Sequence, residues 1–95
     1  MSSADEIAVF GATGVLGRRV CAALARLGAP HRAVGRHPHA LAAAAPGAAI
    51  HLAAADDRAA LARAFAGVAV VINAAGPTAA VGDRVLVAAL DAGVH

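Results

Sequence analysis

The feature that most limits how this chain can fold is the segment Gly11-Ala12-Thr13-Gly14-Val15-Leu16-Gly17, in which every third residue is glycine. Upstream, residues 6–10 form a short apolar run. Downstream, Val15, Leu16, Val20, Ala23, Leu24 and Leu27 recur at helical spacing and leave Arg18, Arg19 and Arg26 on the other side. A strand, a glycine turn and a helix follow from that order. Gly11 permits a tight turn, Gly14 lets backbone come close to a phosphate, and Gly17 removes a side chain where helix meets sheet. Free amides near Gly14, Val15 and Leu16 supply donors, and the helix dipole favours an anion by about 0.3–1 kcal/mol. An ordinary glycine-rich strand-to-helix turn is the plainer alternative. The segment nevertheless opens the first βαβ unit of the chain, which is where a dinucleotide pyrophosphate is held in such folds.

Gly28 and Pro30 stop the first helix, and residues 32–34 follow as a second strand. Residues 39–45 have the composition of a short helix, with Pro38 suited to its first turn and Pro46-Gly47 ending it. A third strand is predicted over 48–53. Asp57 then stands at the N-cap position before Ala60, Leu61, Ala64 and Phe65, and Gly67 closes that helix. Residues 68–72 are a β-branched run of the kind found in a strand buried on both faces, broken by Gly76-Pro77. A last helix over 82–92 would turn Val85, Leu86, Ala89 and Leu90 inward and Asp83, Arg84 and Asp91 outward.

Strands alternating with helices predict an α/β domain of Rossmann type, a doubly wound parallel sheet in the order 3-2-1-4. The fourth strand would be left as an apolar edge, which is an aggregation hazard. The 95 residues are therefore expected to be the N-terminal part of one nucleotide-binding domain, cut before a fifth strand, with the substrate and catalytic domain elsewhere. Any homo-oligomer is expected to form through that missing domain.

Composition narrows the function classes. Hydrophobic residues make up 60% of the chain but aromatics only 2%, so the core is built of small side chains and modest stability is expected. The formal charge is +2, and all eight Lys+Arg residues are arginines scattered along the chain, which argues against a nucleic-acid surface. The polar start Met1-Ser2-Ser3-Ala4-Asp5-Glu6 lacks the basic and apolar regions of a secretion signal, and no apolar run reaches membrane-spanning length. A cytoplasmic protein is expected. Cys21 has no second thiol to pair with and reads as a small buried side chain.

Beyond the glycine turn, Gly35-Arg36 follows the second strand, where an acidic residue would bind the ribose hydroxyls of an unphosphorylated dinucleotide. A guanidinium instead suits a 2′-phosphate through paired, charge-assisted hydrogen bonds, so Arg36 favours NADP(H) over NAD(H). A solvated loop arginine is the alternative. After the fourth strand, Asn73-Ala74-Ala75-Gly76-Pro77 offers small residues for close approach of the cofactor, or simply a strand-ending turn.

At these residues the chain resembles the cofactor domain of the saccharopine dehydrogenase-like family, including its trans-acting enoyl reductase relatives. The resemblance rests on Val9-Phe10-Gly11-Ala12-Thr13-Gly14 with Gly17, on Gly35-Arg36, on Val71-Ile72-Asn73-Ala74-Ala75-Gly76-Pro77, and on Gly82 with Ala92-Gly93-Val94-His95. It implies an NADP-type cofactor on residues 11–17, Arg36 near the adenosine phosphate, Ala75 and Gly76 near the nicotinamide, and hydride transfer by the whole protein. Two positions depart from the family: Ala54 stands where an aspartate often contacts adenine, and Thr78 where an aromatic commonly follows Gly76-Pro77.

No catalytic residue can be assigned. Tyrosine and lysine are both absent, so the chain holds no Tyr/Lys proton-transfer pair. His31, His37 and His39 have no acidic or cysteine neighbour that would complete a metal site, and His51 and His95 have no evident base or nucleophile partner. Two rival functions stay open: an NmrA-like regulator that senses the dinucleotide without turnover, and the start of an extended short-chain epimerase.

Overall fold

A computed structural model describes residues 6–75 together with Arg84, Val85 and Ala88. The elements alternate: β1 (Ile7–Phe10), α1 (Val15–Arg26), β2 (His31–Gly35), α2 (Pro38–Ala44), β3 (Ala49–Leu52), α3 (Arg58–Phe65) and β4 (Val70–Asn73). The strands form a four-stranded sheet in the order β3-β2-β1-β4. Every pairing is parallel, with Val9 opposite Ala33 and Ile72, and Ala33 opposite Ile50. This is the expected Rossmann-type arrangement.

Local chemistry accounts for the helix ends. Gly28 takes a positive φ of 69° after α1, and the amides of Gly28 and Ala29 bond back to the carbonyls of Ala25 and Leu24, which satisfies the end of the helix. Pro38 begins α2, where its missing N–H costs nothing. Asp57 caps α3, its Oδ1 accepting from the Ala60 amide at 3.0 Å.

The sheet divides the core into two layers. On one face Val9, Ala12, Cys21, Leu24, Ala33, Leu41 and Ala45 pack under α1 and α2. On the other, Ala8, Phe10, Val34, Leu61, Ala64 and Phe65 pack under α3, joined by Val85 and Ala88. Those last two belong to the helix expected over 82–92, of which only they and the exposed Arg84 are described. Burial of Cys21 pushes its thiol above the ordinary range, as suits an inert core side chain.

One expectation needs correction. The fourth strand is not buried on both faces: Val70 is 40% exposed, because among the described residues β4 pairs only with β1 and forms an edge. One of the scattered arginines is buried, which the sequence did not indicate. Arg32, in the middle of the sheet, is only 7% exposed. Its Nη2 donates to Glu6 Oε1 at 2.7 Å, and its Nη1 donates to the carbonyls of Ala64 and Ala66 at 3.0 and 3.3 Å. The cation thus sits at the C-terminal end of α3, where the helix dipole favours it, and ties α3 to the start of β1. Glu6 also accepts the Ala69 amide on its backbone oxygen at 2.8 Å, which adds β4 to the same knot.

Candidate functional site

At the opposite, carboxyl edge of the sheet the strand ends open into a cleft of about 480 Å³. Four strand ends contribute to it: Gly11, Thr13 and Gly14 after β1, Gly35, Arg36 and His37 after β2, residues 53–56 after β3, and Ala74 and Ala75 after β4. Arg84 also lines it. This is the edge at which doubly wound sheets bind ligands, because the loops leave from it and the helix N-termini point toward it.

The three glycines of the turn are there for different reasons. Gly11 has φ +77°, and a Cβ built on it would lie 2.6 Å from the backbone of Ala75. That close approach is held by Asn73, whose Oδ1 accepts the Ala75 amide at 3.1 Å, and by the Ala74 amide bonding to the Phe10 carbonyl at 2.9 Å. A Cβ on Gly17 would lie 2.1 Å from the Gly11 carbonyl oxygen and 2.7 Å from Ala12 Cα, so α1 can seat on the turn only with glycine there. Gly14 differs from both. Its φ of −75° and ψ of 173° suit any residue, and the nearest atom to a Cβ there is the Gly11 oxygen at 3.6 Å. Nothing in the fold demands a glycine at that position, and the space its absent side chain leaves belongs to the cleft.

Gly14 is also the N-cap of α1. It provides no side-chain cap, the first turn has no acidic residue, and the first helical bond runs from the Arg18 amide to the Gly14 oxygen at 2.9 Å. The Gly14 amide, expected from the sequence to be free, is instead held by the Gly11 oxygen at 3.2 Å, and it is the amides of Val15, Leu16 and Gly17, ahead of the first helical bond, that are left for an outside acceptor. The geometry suits an anion that lies close to the Gly14 backbone.

Of the residues singled out in the sequence, Gly11, Thr13, Gly14, Gly35, Arg36 and Ala75 all line the cleft. Ala12 is fully buried beneath the turn and Gly17 lies under it. Val15 and Leu16 are 76% and 59% exposed and do not line the cleft. Gly76, Gly82 and His95 lie outside the described residues.

Asp56, His37 and Arg84 also line the cleft; the sequence marked His37 only as a loop histidine and Arg84 only as an outward helix residue, and gave Asp56 no role. The carboxylate missing at Ala54 is met two residues later by Asp56, which is exposed and faces the cleft, whereas Asp57 is used as a cap. A carboxylate just past β3 was the signal for it. Arg84 gives no comparable signal, since only the docking of Val85 and Ala88 onto the sheet brings it to the cleft.

A glycine turn, an uncapped helix and an arginine after β2 on one sheet edge are shared by several protein families, and comparison narrows the field. The model of the NmrA-like family matches residues 3–95, nearly the whole chain. The chain belongs to the NmrA-like family. Comparison with curated proteins finds no match. Among solved structures, this NmrA-like chain is similar to an NADPH-dependent quinone oxidoreductase from Escherichia coli in complex with NADPH, at 34% identity and a TM-score of 0.80. The alignment covers 93% of this chain and 34% of that one. A triphenylmethane reductase from Citrobacter sp., complexed with NADP(H), aligns at 31% identity and a TM-score of 0.81, over 93% of this chain and 34% of that one. A nucleoside-diphosphate-sugar epimerase from Pseudomonas aeruginosa aligns at 30% identity and a TM-score of 0.77, over 94% and 30%. The NmrA-like chain spans about a third of the length of these structures. The relatives named here are reductases and an epimerase rather than saccharopine dehydrogenases, and the family shown is the one that entered above as a rival. No helix among the described residues is long and apolar enough to cross a membrane.

Proposed function

We propose that this chain is the NADP(H)-binding part of a reductase, holding the cofactor so that its nicotinamide can exchange hydride with a substrate bound elsewhere in the protein. The observation that carries the reading is the open space over Gly14: the fold leaves glycine unexplained there, and a pyrophosphate lying on the uncapped start of α1 explains it.

The binding mode follows from the strand ends. The pyrophosphate takes the free amides at the start of α1, over Gly14. Arg36, exposed at the end of β2 and facing the cleft, is placed for a 2′-phosphate, and no carboxylate at that point would repel it. Asp56, past β3, is placed to accept from the adenine amine. Ala75 keeps the nicotinamide side free of bulk, and Gly76 follows it in sequence. When bound, the cofactor supplies hydride chemistry, while the chain binds and orients it. The NADPH-bound oxidoreductase and the NADP(H)-bound triphenylmethane reductase support this reading, and the saccharopine dehydrogenase-like resemblance points to the same chemistry.

Membership of the NmrA-like family favours a second reading, a sensor that binds the same cofactor without turnover. Calorimetric titration of the protein with NADPH and NADH tests the shared claim. We expect tighter binding of NADPH and loss of that preference in Arg36→Ala. Binding of neither cofactor by folded protein would sink both readings. Quinone-dependent oxidation of bound NADPH separates the reductase from the sensor.

A further inference from the structure

We infer that Arg18 is a positioning residue for the cofactor pyrophosphate, holding the phosphate turn in shape and lending it positive charge. The inference rests on the dinucleotide reading above and concerns a residue that reading does not use.

Arg18 is the fourth residue of α1. A cation in the first turn of a helix opposes the dipole, and surface helices more favourably carry acidic residues there. Here the first turn has none. The exposed Arg18 side chain reaches back to the turn, and its Nε donates to the Thr13 carbonyl at 3.0 Å. Among the described residues no carboxylate pairs with it, the recorded ion pair being Glu6 with Arg32. Among the described residues its charge is uncompensated at the positive end of a helix.

The bond it makes acts on one peptide. Thr13 and Gly14 both line the cleft. The Gly14 amide donates to the Gly11 oxygen at 3.2 Å, and the Thr13 oxygen accepts from Arg18, so both polar atoms of the Thr13–Gly14 peptide are held. With its carbonyl so occupied, the turn presents less negative charge to an approaching anion. Among the described residues the same guanidinium makes no bond through its Nη donors. An arrangement that costs the free helix something is relieved when a phosphate group arrives.

Arg36 and Arg18 are thereby separable. The 2′-phosphate is present only in NADP(H), while the pyrophosphate is common to both cofactors. Arg18→Ala should weaken NADPH and NADH by the same factor, about tenfold for a charge-assisted contact, and flatten the salt dependence of binding. The melting temperature of the free protein should stay level or rise, because alanine is the better helix former and the opposed charge is gone. Arg18→Lys, which keeps the charge without the planar Nε bond, should recover part of the loss.

The test is titration of wild type, Arg18→Ala and Arg18→Lys with both cofactors at low and high salt, alongside thermal melting. Equal losses at an unchanged or raised melting temperature support the inference. Wild-type affinity in Arg18→Ala overturns it, as does a loss confined to NADPH, which would mark a 2′-phosphate contact. A loss accompanied by a falling melting temperature also overturns it, in favour of a purely structural role. Wild type that binds neither cofactor removes the dinucleotide reading itself, and the inference with it.

Discussion

The two edges of the sheet handle charge in opposite ways. At the amino edge, Arg32 is buried and spends its donors inside the molecule, on Glu6 and on two carbonyls at the end of α3. At the carboxyl edge, Arg36 and Arg84 face an open cleft, and the start of α1 has no side-chain cap. Those three bonds make the first edge a fastening, although the buried Arg32 Nε finds no partner among the described residues. The second is left with donors that water or a ligand must serve, which is the usual condition of a binding site. An arginine near a helix end is therefore not informative in itself. At the C-terminus of α3 it completes the fold, and at the N-terminus of α1 it holds the Thr13 carbonyl beside an open cleft.

The comparison breaks most visibly at Arg32. Replacing it with alanine leaves the Glu6 carboxylate and the α3 carbonyls without their donor, and loss of about 3 kcal/mol of stability is expected. Denaturant unfolding measures this, while cofactor affinity of the remaining folded protein should be unchanged. If Arg32→Ala lowers affinity without lowering stability, the amino edge is not a separate fastening.

Gly14 gives the reverse pattern. Gly14→Val meets no atom in the fold closer than ordinary contact at its Cβ, and its backbone angles suit a β-branched residue. Stability should change by less than about 1 kcal/mol, as for a surface substitution with a weakened cap. The new side chain fills the space over the turn, and cofactor affinity should fall at least about tenfold, or about 1.4 kcal/mol. A folded Gly14→Val protein with normal affinity would put the phosphate somewhere other than the glycine turn.

This contrast also explains what could be read from the sequence. Turn and cap signals are local, so Gly28, Pro38 and Asp57 marked the helix ends correctly, and the alternation of elements was enough for the 3-2-1-4 order. The glycine turn and Arg36 were legible because they sit at fixed places relative to β1 and β2. Arg32 was not, since its partners Ala64 and Ala66 lie 32 and 34 residues away and include backbone atoms that no side-chain pattern reveals. Arg84 reaches the cleft through the packing of Val85, which is likewise a tertiary fact. The half-exposed β4 shows the limit of composition: a β-branched run reads as a buried strand whether or not a neighbour covers it.

The smallest expected effect sharpens the amino edge rather than breaking it. Arg32 holds the Glu6 carboxyl below its ordinary value of 4.5, chiefly through their hydrogen bond. A carboxylate depressed in the folded state contributes stability that is fully present above the unfolded value and disappears as pH falls through the folded one. His51 adds an earlier step: burial lowers it from 6.5, so the folded state resists its protonation and stability begins to decline once pH drops below that value. Glu6→Gln keeps an oxygen for Arg32 but removes the charge, and about 1 kcal/mol should be lost at neutral pH. Once Glu6 itself is protonated the two proteins carry the same local charge, so their unfolding midpoints should converge between pH 4.5 and strongly acidic conditions. The His51 step should persist in both. A difference between the two proteins that stays constant across that range would show that Glu6 acts through shape alone, and the buried arginine would then owe its place to the α3 carbonyls.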